Sequence, residues 1–150
     1  MNAPSRRPRV ICHMIATIDG RIVTEHWPDI GEGRREYERT ASTYAADAWM
    51  CGRVTMEHFA GSVRGDAELE GGGRINGAML HAGLVDEVSL LVAPIVDGTL
   101  GTGSLFDIEC APGGHRGRRL ALVAVEHRAE GVLWIRYHVE ETAPGSPAQG

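Results

Sequence analysis

Three consecutive glycines, Gly71-Gly72-Gly73, precede a stretch that reads as a helix, Arg74-Ile75-Asn76-Gly77-Ala78-Met79-Leu80-His81-Ala82. Glycines at a strand-to-helix junction let backbone N–H groups approach an anion, and a helix N-terminus adds roughly half a positive charge. A phosphate or pyrophosphate suits that arrangement better than anything else in the chain. The same glycines also serve a close-packed turn that holds no ligand, and the motif alone leaves both readings open. Spacing excludes two familiar nucleotide loops. A G-x-G-x-x-G fingerprint beginning at Gly71 needs a glycine where Asn76 stands, and a phosphate loop from Gly72 to Gly77 needs Lys and Ser/Thr where Ala78 and Met79 stand.

A second junction of the same kind lies upstream. Ala46-Asp47-Ala48-Trp49-Met50-Cys51 reads as a buried strand, and Gly52-Arg53-Val54-Thr55 opens a short helix running to Phe59. Thr55 is of a type that caps helices, and Arg53 of a type that pairs with phosphate. Two anion-accepting helix starts on one sheet are able to hold the two ends of a dinucleotide.

The elements that must position these groups follow from hydrophobic pattern. The run Val10-Ile11-Cys12-His13-Met14-Ile15-Ala16-Thr17-Ile18 is nearly all apolar, as a strand buried on both faces requires, and Asp19-Gly20 marks a sharp turn at its end. An amphipathic helix is expected over residues 34–46, with Tyr37, Ala41, Tyr44 and Ala45 on one face. The helix after the triple glycine ends at Gly83, with Leu84 set to meet Met79 in a Schellman closure. Residues 88–93 read as a core strand and residues 99–114 as a glycine-punctuated loop. Residues 119–126 and 132–139 read as a terminal hairpin, with Leu133, Ile135, Tyr137 and Val139 facing inward and Arg119 and Arg136 facing water.

Composition narrows the function classes. A chain of 150 residues with net charge −5 fits one domain and does not favour nucleic acid or an acidic membrane as partner. Cys12, Cys51 and Cys110 are odd in number and far apart, which reads as a reduced, cytoplasmic protein; the seven histidines lack metal-ligand spacing. No segment has the roughly 18 apolar residues of a membrane span. Arg6-Arg7 leads straight into a strand with no cleavage site, so an export signal is not expected. Residues 1–7 and 140–150 are expected to be loose ends around a single domain over 8–139.

In order along the chain, Ala16-Thr17-Ile18-Asp19-Gly20-Arg21-Ile22, Gly52-Arg53-Val54-Thr55, Glu70-Gly71-Gly72-Gly73-Arg74-Ile75-Asn76-Gly77-Ala78-Met79-Leu80, Ala82-Gly83-Leu84-Val85-Asp86-Glu87 and Ala93-Pro94-Ile95-Val96-Asp97-Gly98 form a recognisable set. That set resembles the dihydrofolate-reductase-like superfamily, nearest to the reductase domain of the bifunctional riboflavin-biosynthesis deaminase–reductase. The resemblance implies an α/β fold with a mixed, mainly parallel sheet flanked by helices and a C-terminal antiparallel hairpin. It implies an NADPH-dependent oxidoreductase that transfers hydride to a small polar heterocycle; the family precedent is a pyrimidine carrying a ribosyl phosphate. Cofactor contacts carry over to Ala16, Thr55, Gly71, Gly72, Gly73, Arg74, Ile75 and Asn76, with Gly52 and Arg53 inferred from their place at a helix start. Arg53 would favour NADPH through its 2′-phosphate.

The expected catalytic residues are His13, Asp19 and Glu70. Glu70 matches a substrate-contacting acid of the family, and Asp19 has a structural alternative, holding its own turn. His13 stands where the family has a lysine, which puts the riboflavin-pathway substrate in question. The alternative of a pterin reductase would draw its acid from Glu36 or Glu38 in the first long helix. Only ten residues separate Phe59 from Glu70, where relatives carry additional strands and a helix. A reduced strand count is therefore expected, with an edge of the parallel sheet left open or covered by another chain, as in a homodimer. A shortened remnant that binds cofactor weakly or only self-associates is the remaining alternative. The zinc signature of the deaminase half has no counterpart here, so no deaminase activity is expected.

Overall fold

The structure, a computed structural model, describes residues 7–48, 50, 72–109 and 117–141. Strand β1 (Ile11–Ala16) forms from the long apolar run and lies parallel to β2 (Glu87–Val92), in register from Ile11 opposite Glu87 to Ala16 opposite Val92. Strand β3 (Leu120–His127) and strand β4 (Leu133–Val139) make the C-terminal hairpin, and β4 runs antiparallel to β2. The order is β1-β2-β4-β3. Among the described residues the sheet is thus mixed and four-stranded, with one parallel pair at its β1 side. The hairpin turns through Ala129–Gly131, where Glu130 and Gly131 take positive φ of 56° and 78°.

Helix α1 (Glu32–Ala41) packs on one sheet face through Tyr37, with Tyr44 from the 3₁₀ turn Ser42–Tyr44 that follows. Together with Ile15 and Ile30 these side chains surround Leu91, Val132 and Trp134, of which Leu91 and Val132 are completely buried. Removing a side chain of that size from water contributes about 1.5–3 kcal/mol. Gly33 permits the close approach, because a Cβ there would stand 3.0 Å from Val132 Cγ2. The helix stops earlier than the pattern of 34–46 suggests. Hydroxyls of Thr40, Ser42 and Thr43 bond back to the carbonyls of Glu36, Arg39 and Thr40. Such bonds compete with the helical ladder. Ala45 then takes a left-handed φ of 44° and faces solvent instead of sharing the apolar face.

Two further expectations change. Residues 46–48 and 50 are exposed and belong to no strand, since among the described residues nothing pairs with them; Trp49, Cys51 and the helix expected to follow lie outside the described residues. In β4 both faces are covered: Leu133, Ile135 and Tyr137 share a face with the buried Val88, Met14 and Ala16, and the most deeply buried side chain lies on the other face. Trp134 is buried beneath α1, while Leu133, Ile135, Tyr137 and Val139 are only half-buried. Arg136 is no simple solvent-facing residue: its guanidinium lies 4.5 Å from the Trp134 ring centre and bonds Glu126 at 2.9 Å. The guanidinium stacks on the indole face as a cation–π contact.

Helix α2 (Gly73–His81) ends as the sequence predicts. Gly83 has φ +70°, and the N–H groups of Gly83 and Leu84 bond the carbonyls of Leu80 (3.1 Å) and Met79 (3.0 Å), both halves of a Schellman motif. No described helix is long and apolar enough to cross a membrane.

Candidate functional site

The C-terminal end of β1 is organised by a four-residue turn. Thr17 N–H bonds the Arg21 carbonyl, Gly20 N–H bonds the Thr17 carbonyl, and the Thr17 hydroxyl accepts from Arg21 N–H, each at 2.9 Å. Asp19 spends both carboxylate oxygens on this frame. Oδ1 accepts from the Thr17 hydroxyl at 2.7 Å and Asp97 N–H at 3.1 Å, and Oδ2 accepts from Gly98 N–H at 2.8 Å. The Thr17 hydroxyl first, then the two backbone amides, hold its pKa well below the usual carboxylate range. Asp19 is therefore a clamp between the β1 turn and the segment after β2, not a proton donor.

The same turn reaches α2 through residues 102–107. Leu105 N–H bonds the Gly20 carbonyl at 3.2 Å, and Arg21 Nη1 donates to the Thr102 carbonyl at 2.9 Å. On the other side of that loop, Asp107 N–H bonds the Gly73 carbonyl at 2.9 Å and Asn76 Nδ2 donates to the Leu105 carbonyl at 3.1 Å. One hydrogen-bonded assembly thus joins Ala16, Asp19, Gly72, Gly73 and Asn76. Arg21 Nε is buried with no hydrogen-bond partner among the described residues, 4.0 Å from Asp19 Oδ2.

Within that assembly the three described glycines of the α2 segment separate. A Cβ on Gly73 would lie 2.1 Å from the Ser104 carbonyl oxygen, and one on Gly77 would lie 2.3 Å from that of Asp107. These two glycines, four apart on one helix face, exist to let the loop touch the helix. Gly72 differs: among the described residues a Cβ there meets nothing within 4 Å, and no side chain caps the amides of the first turn. Open space in front of uncapped N–H groups is what an anion needs. Arg74 beside it is exposed and pairs with exposed Glu109. An exposed pair of this kind is worth only about 0–1 kcal/mol, so little holds Arg74 to Glu109. Asp107, held by the Ser104 hydroxyl at 2.6 Å and kept ionised chiefly by that bond, lies next to Gly73 and adds a negative charge near the same tip.

The remaining expected residues distribute as follows. Ala16 is fully buried, and its carbonyl accepts from Ala93 N–H at 2.8 Å. Asn76 is buried and committed to the Leu105 carbonyl. Ile75 faces a cavity of about 280 Å³ between β1, α1 and α2, whose other walls include Cys12, His13, Tyr44 and Met79. Burial pushes the Cys12 thiol up to about 12, which leaves no thiolate for nucleophilic chemistry. Glu70, Gly71, Gly52, Arg53 and Thr55 lie outside the described residues.

His13 belongs to the core under α1, in mid-strand, away from the assembly at the end of β1. Its Nε2 lies 3.0 Å from the Tyr37 carbonyl and 3.3 Å from Thr40 Oγ1, its Nδ1 lies 2.8 Å from Ser89 Oγ, and its ring stacks on Tyr37 at 4.7 Å. A carbonyl only accepts, so Nε2 carries the proton and Nδ1 accepts from the Ser89 hydroxyl. Ser89 Oγ in turn accepts from Trp134 Nε1 at 2.8 Å. Burial lowers the pKa of His13 despite the opposing bond to Tyr37. It is a neutral, satisfied core histidine that fastens α1 to the sheet. Glu36 is likewise engaged: Arg39 Nη1 and Arg128 Nε donate to it at 2.7 and 2.6 Å. Burial alone would raise its pKa, and those two guanidinium groups bring it below the ordinary value. Glu38 is exposed. Among the described residues no group of three His, Cys, Asp or Glu side chains is placed to hold a metal.

Residues 64–134 match the model of the RibD C-terminal domain. The chain resembles that domain. Its fold is also that of solved structures bearing related names. It overlays a protein from Shewanella sp. PV-4 named for riboflavin biosynthesis with a TM-score of 0.57 and 15% identity, covering 89% of this chain and 100% of that one. Acinetobacter baumannii RibD gives a TM-score of 0.53 at 16% identity, covering 89% of this chain. The chain spans 58% of the length of that RibD. No curated protein matches it. Of the residues that join the site together, Arg21 lies inside one of the sequence motifs on which the resemblance rested, whereas Ser104 and Asp107 carry no signal beyond a glycine-rich loop.

Proposed function

We propose that the chain is a reductase of the riboflavin-biosynthesis type, using NADPH to reduce a small polar heterocycle. Bound NADPH would supply the hydride. The protein's part is to grip the carrier and hold the acceptor against it. Gly72 and the first N–H groups of α2 would receive a phosphate, and Arg74 would exchange Glu109 for it. The buried Ala16 backbone and the clamped turn at Thr17–Arg21 would form a fixed wall at the strand end, where open α/β sheets receive ligands. The Asp19 clamp and the loop over Gly73 and Gly77 would keep that wall and the helix tip in one geometry.

The observation that carries this reading is the N-terminus of α2 at Gly72, which no described residue covers or caps, tied through residues 102–107 to the end of β1. The RibD C-terminal domain match over 64–134, which includes both α2 and β2, supports it. The pterin alternative is weaker, because Glu36 is locked between two arginines and Glu38 faces solvent. His13 is neutral and internally bonded, so proton donation falls to a group other than the residue at the family's lysine position.

Titration with NADPH tests the reading through the fluorescence of Trp27, Trp49 and Trp134. A saturable quench, larger for NADPH than for NADH, is expected. A chain that is folded by circular dichroism yet unresponsive at millimolar cofactor would refute it.

A further inference from the structure

Arg21 is fixed at both its main chain and its side chain. Its N–H and carbonyl close the turn with Thr17, and it stands opposite Ser104 in an isolated antiparallel bridge. The side chain is largely buried, at 23% exposure. Two carboxylates lie near it. Asp19 Oδ2 is 4.0 Å from Nε. Asp107, held below its ordinary pKa first by the Ser104 hydroxyl, is drawn further by the Arg21 charge.

A buried cation ordinarily pairs with a carboxylate. Among the described residues, however, no hydrogen bond joins Arg21 to either acid. Asp19 spends its oxygens on Thr17, Asp97 and Gly98, and Asp107 spends its own on Ser104. Arg21 Nη1 donates instead to the Thr102 carbonyl at 2.9 Å, while the buried Nε has no partner. The planar fork, with its fixed donor directions, selects that carbonyl; charge alone would not. The other bonds between turn and loop are longer: Leu105 N–H to the Gly20 carbonyl at 3.2 Å and Ile22 N–H to the Gly103 carbonyl at 3.3 Å. The guanidinium bond is therefore the short link between the end of β1 and the segment that packs on α2 through Gly73 and Asn76.

We propose that Arg21 is a positioning residue for the cofactor: without touching NADPH, it sets the N-terminus of α2 against the end of β1 by holding residues 102–107. The proposal rests on the reductase reading above. Lysine does not replace arginine in this role, because an ammonium is a point charge that follows the carboxylates, with no fork to direct it to Thr102.

Arg21→Lys keeps the charge and the main-chain bridge, and two readouts test it. In the free chain the amides of Leu105 and Asp107 are expected to exchange at least tenfold faster than in wild type, with those of β4 unchanged. Calorimetric titration, at a temperature where both proteins are folded, is expected to show the NADPH dissociation constant raised at least tenfold. A residue that only stabilised the fold would lower Tm and leave that constant unchanged. Wild-type exchange at Leu105 and Asp107 in the variant overturns the link, and a loosened loop with unchanged NADPH affinity overturns the positioning role. A wild-type chain that does not bind NADPH sinks the reductase reading and the positioning role with it, while the exchange rates still decide whether Arg21 holds the loop. Should Arg21→Lys fail to fold, wild-type exchange with and without saturating NADPH decides. Slower exchange at Leu105 and Asp107 on binding supports the coupling, and equal rates overturn it.

Discussion

Replacing Gly77 with alanine separates a packing glycine from an ordinary helical one. In an exposed helix interior the change stabilises by up to about 1 kcal/mol, because glycine is the poorer helix former. Here the new Cβ would stand 2.3 Å from the Asp107 carbonyl oxygen, 2.8 Å from its carbon and 3.0 Å from Ile108 Cγ1. Two of those atoms are backbone, so no rotamer change relieves the contact. The loop must retreat by about 1 Å to restore van der Waals spacing. Retreat strains the bonds from Asn76 Nδ2 to the Leu105 carbonyl and from Asp107 N–H to the Gly73 carbonyl. Overpacking costs about 1–3 kcal/mol and each weakened bond up to about 1 kcal/mol, against the helix gain of about 1 kcal/mol. The net is a destabilisation of about 2 kcal/mol, or roughly 4–8 °C in Tm for a domain of this size. Thermal unfolding followed by circular dichroism reads it directly. Gly72→Ala, with nothing within 4 Å of the added carbon, should leave Tm within about 2 °C of wild type. A Gly77→Ala variant that melts higher than wild type would refute the assignment of loop 104–108 to the face of α2.

His13 predicts a pH dependence. Burial holds its native pKa below the ordinary 6.5. Between those two values the unfolded chain binds a proton that the native chain does not, so stability falls as pH decreases through the window and is level above 6.5 with respect to this group. His13→Gln should remove that component of the slope, measured as Tm against pH for the two proteins; identical slopes would contradict a neutral, buried His13. Asp19→Ala leaves the Thr17 hydroxyl and the N–H groups of Asp97 and Gly98 without their acceptor. The expected result is faster hydrogen exchange at residues 97 and 98, with the amides of β4 unchanged; equal rates at 97 and 98 would show that the clamp does not hold that segment.

The parts of the fold that were legible in the sequence are those in which local chemistry and burial agree. The unbroken apolar run of β1, the Schellman end at Gly83 and the turn after Arg128 each carry their own signal, and all three appear where expected. In β4 both faces are covered, and Arg136 shares a side with Trp134 because its guanidinium stacks on the indole, a long-range pairing that alternation alone does not show. The end of α1 comes earlier than the apolar pattern implies because Tyr44 reaches the core through a tightened 3₁₀ turn, with three hydroxyls bonding backward. In the site, a run of identical glycines could not show that no described residue stands over Gly72 while Gly73 and Gly77 are filled by a loop some thirty residues away. That distinction depends on long-range contact, which no local pattern contains. His13 shows the same limit: its type suggests proton transfer, and its partners Ser89, Tyr37 and Thr40 make it structural.

Calorimetric titration of Gly72→Asp with NADPH bears on the central claim most directly. The N-cap backbone angles of −66° and 163° suit aspartate, and the added carbon meets no described residue, so the fold should be kept or slightly stabilised. The new carboxylate would occupy the helix tip and repel a phosphate there. A dissociation constant for NADPH raised at least tenfold over wild type, with Tm preserved, is the predicted result. Equal affinity in the two proteins would contradict the claim that the amide-lined tip of α2 holds the cofactor.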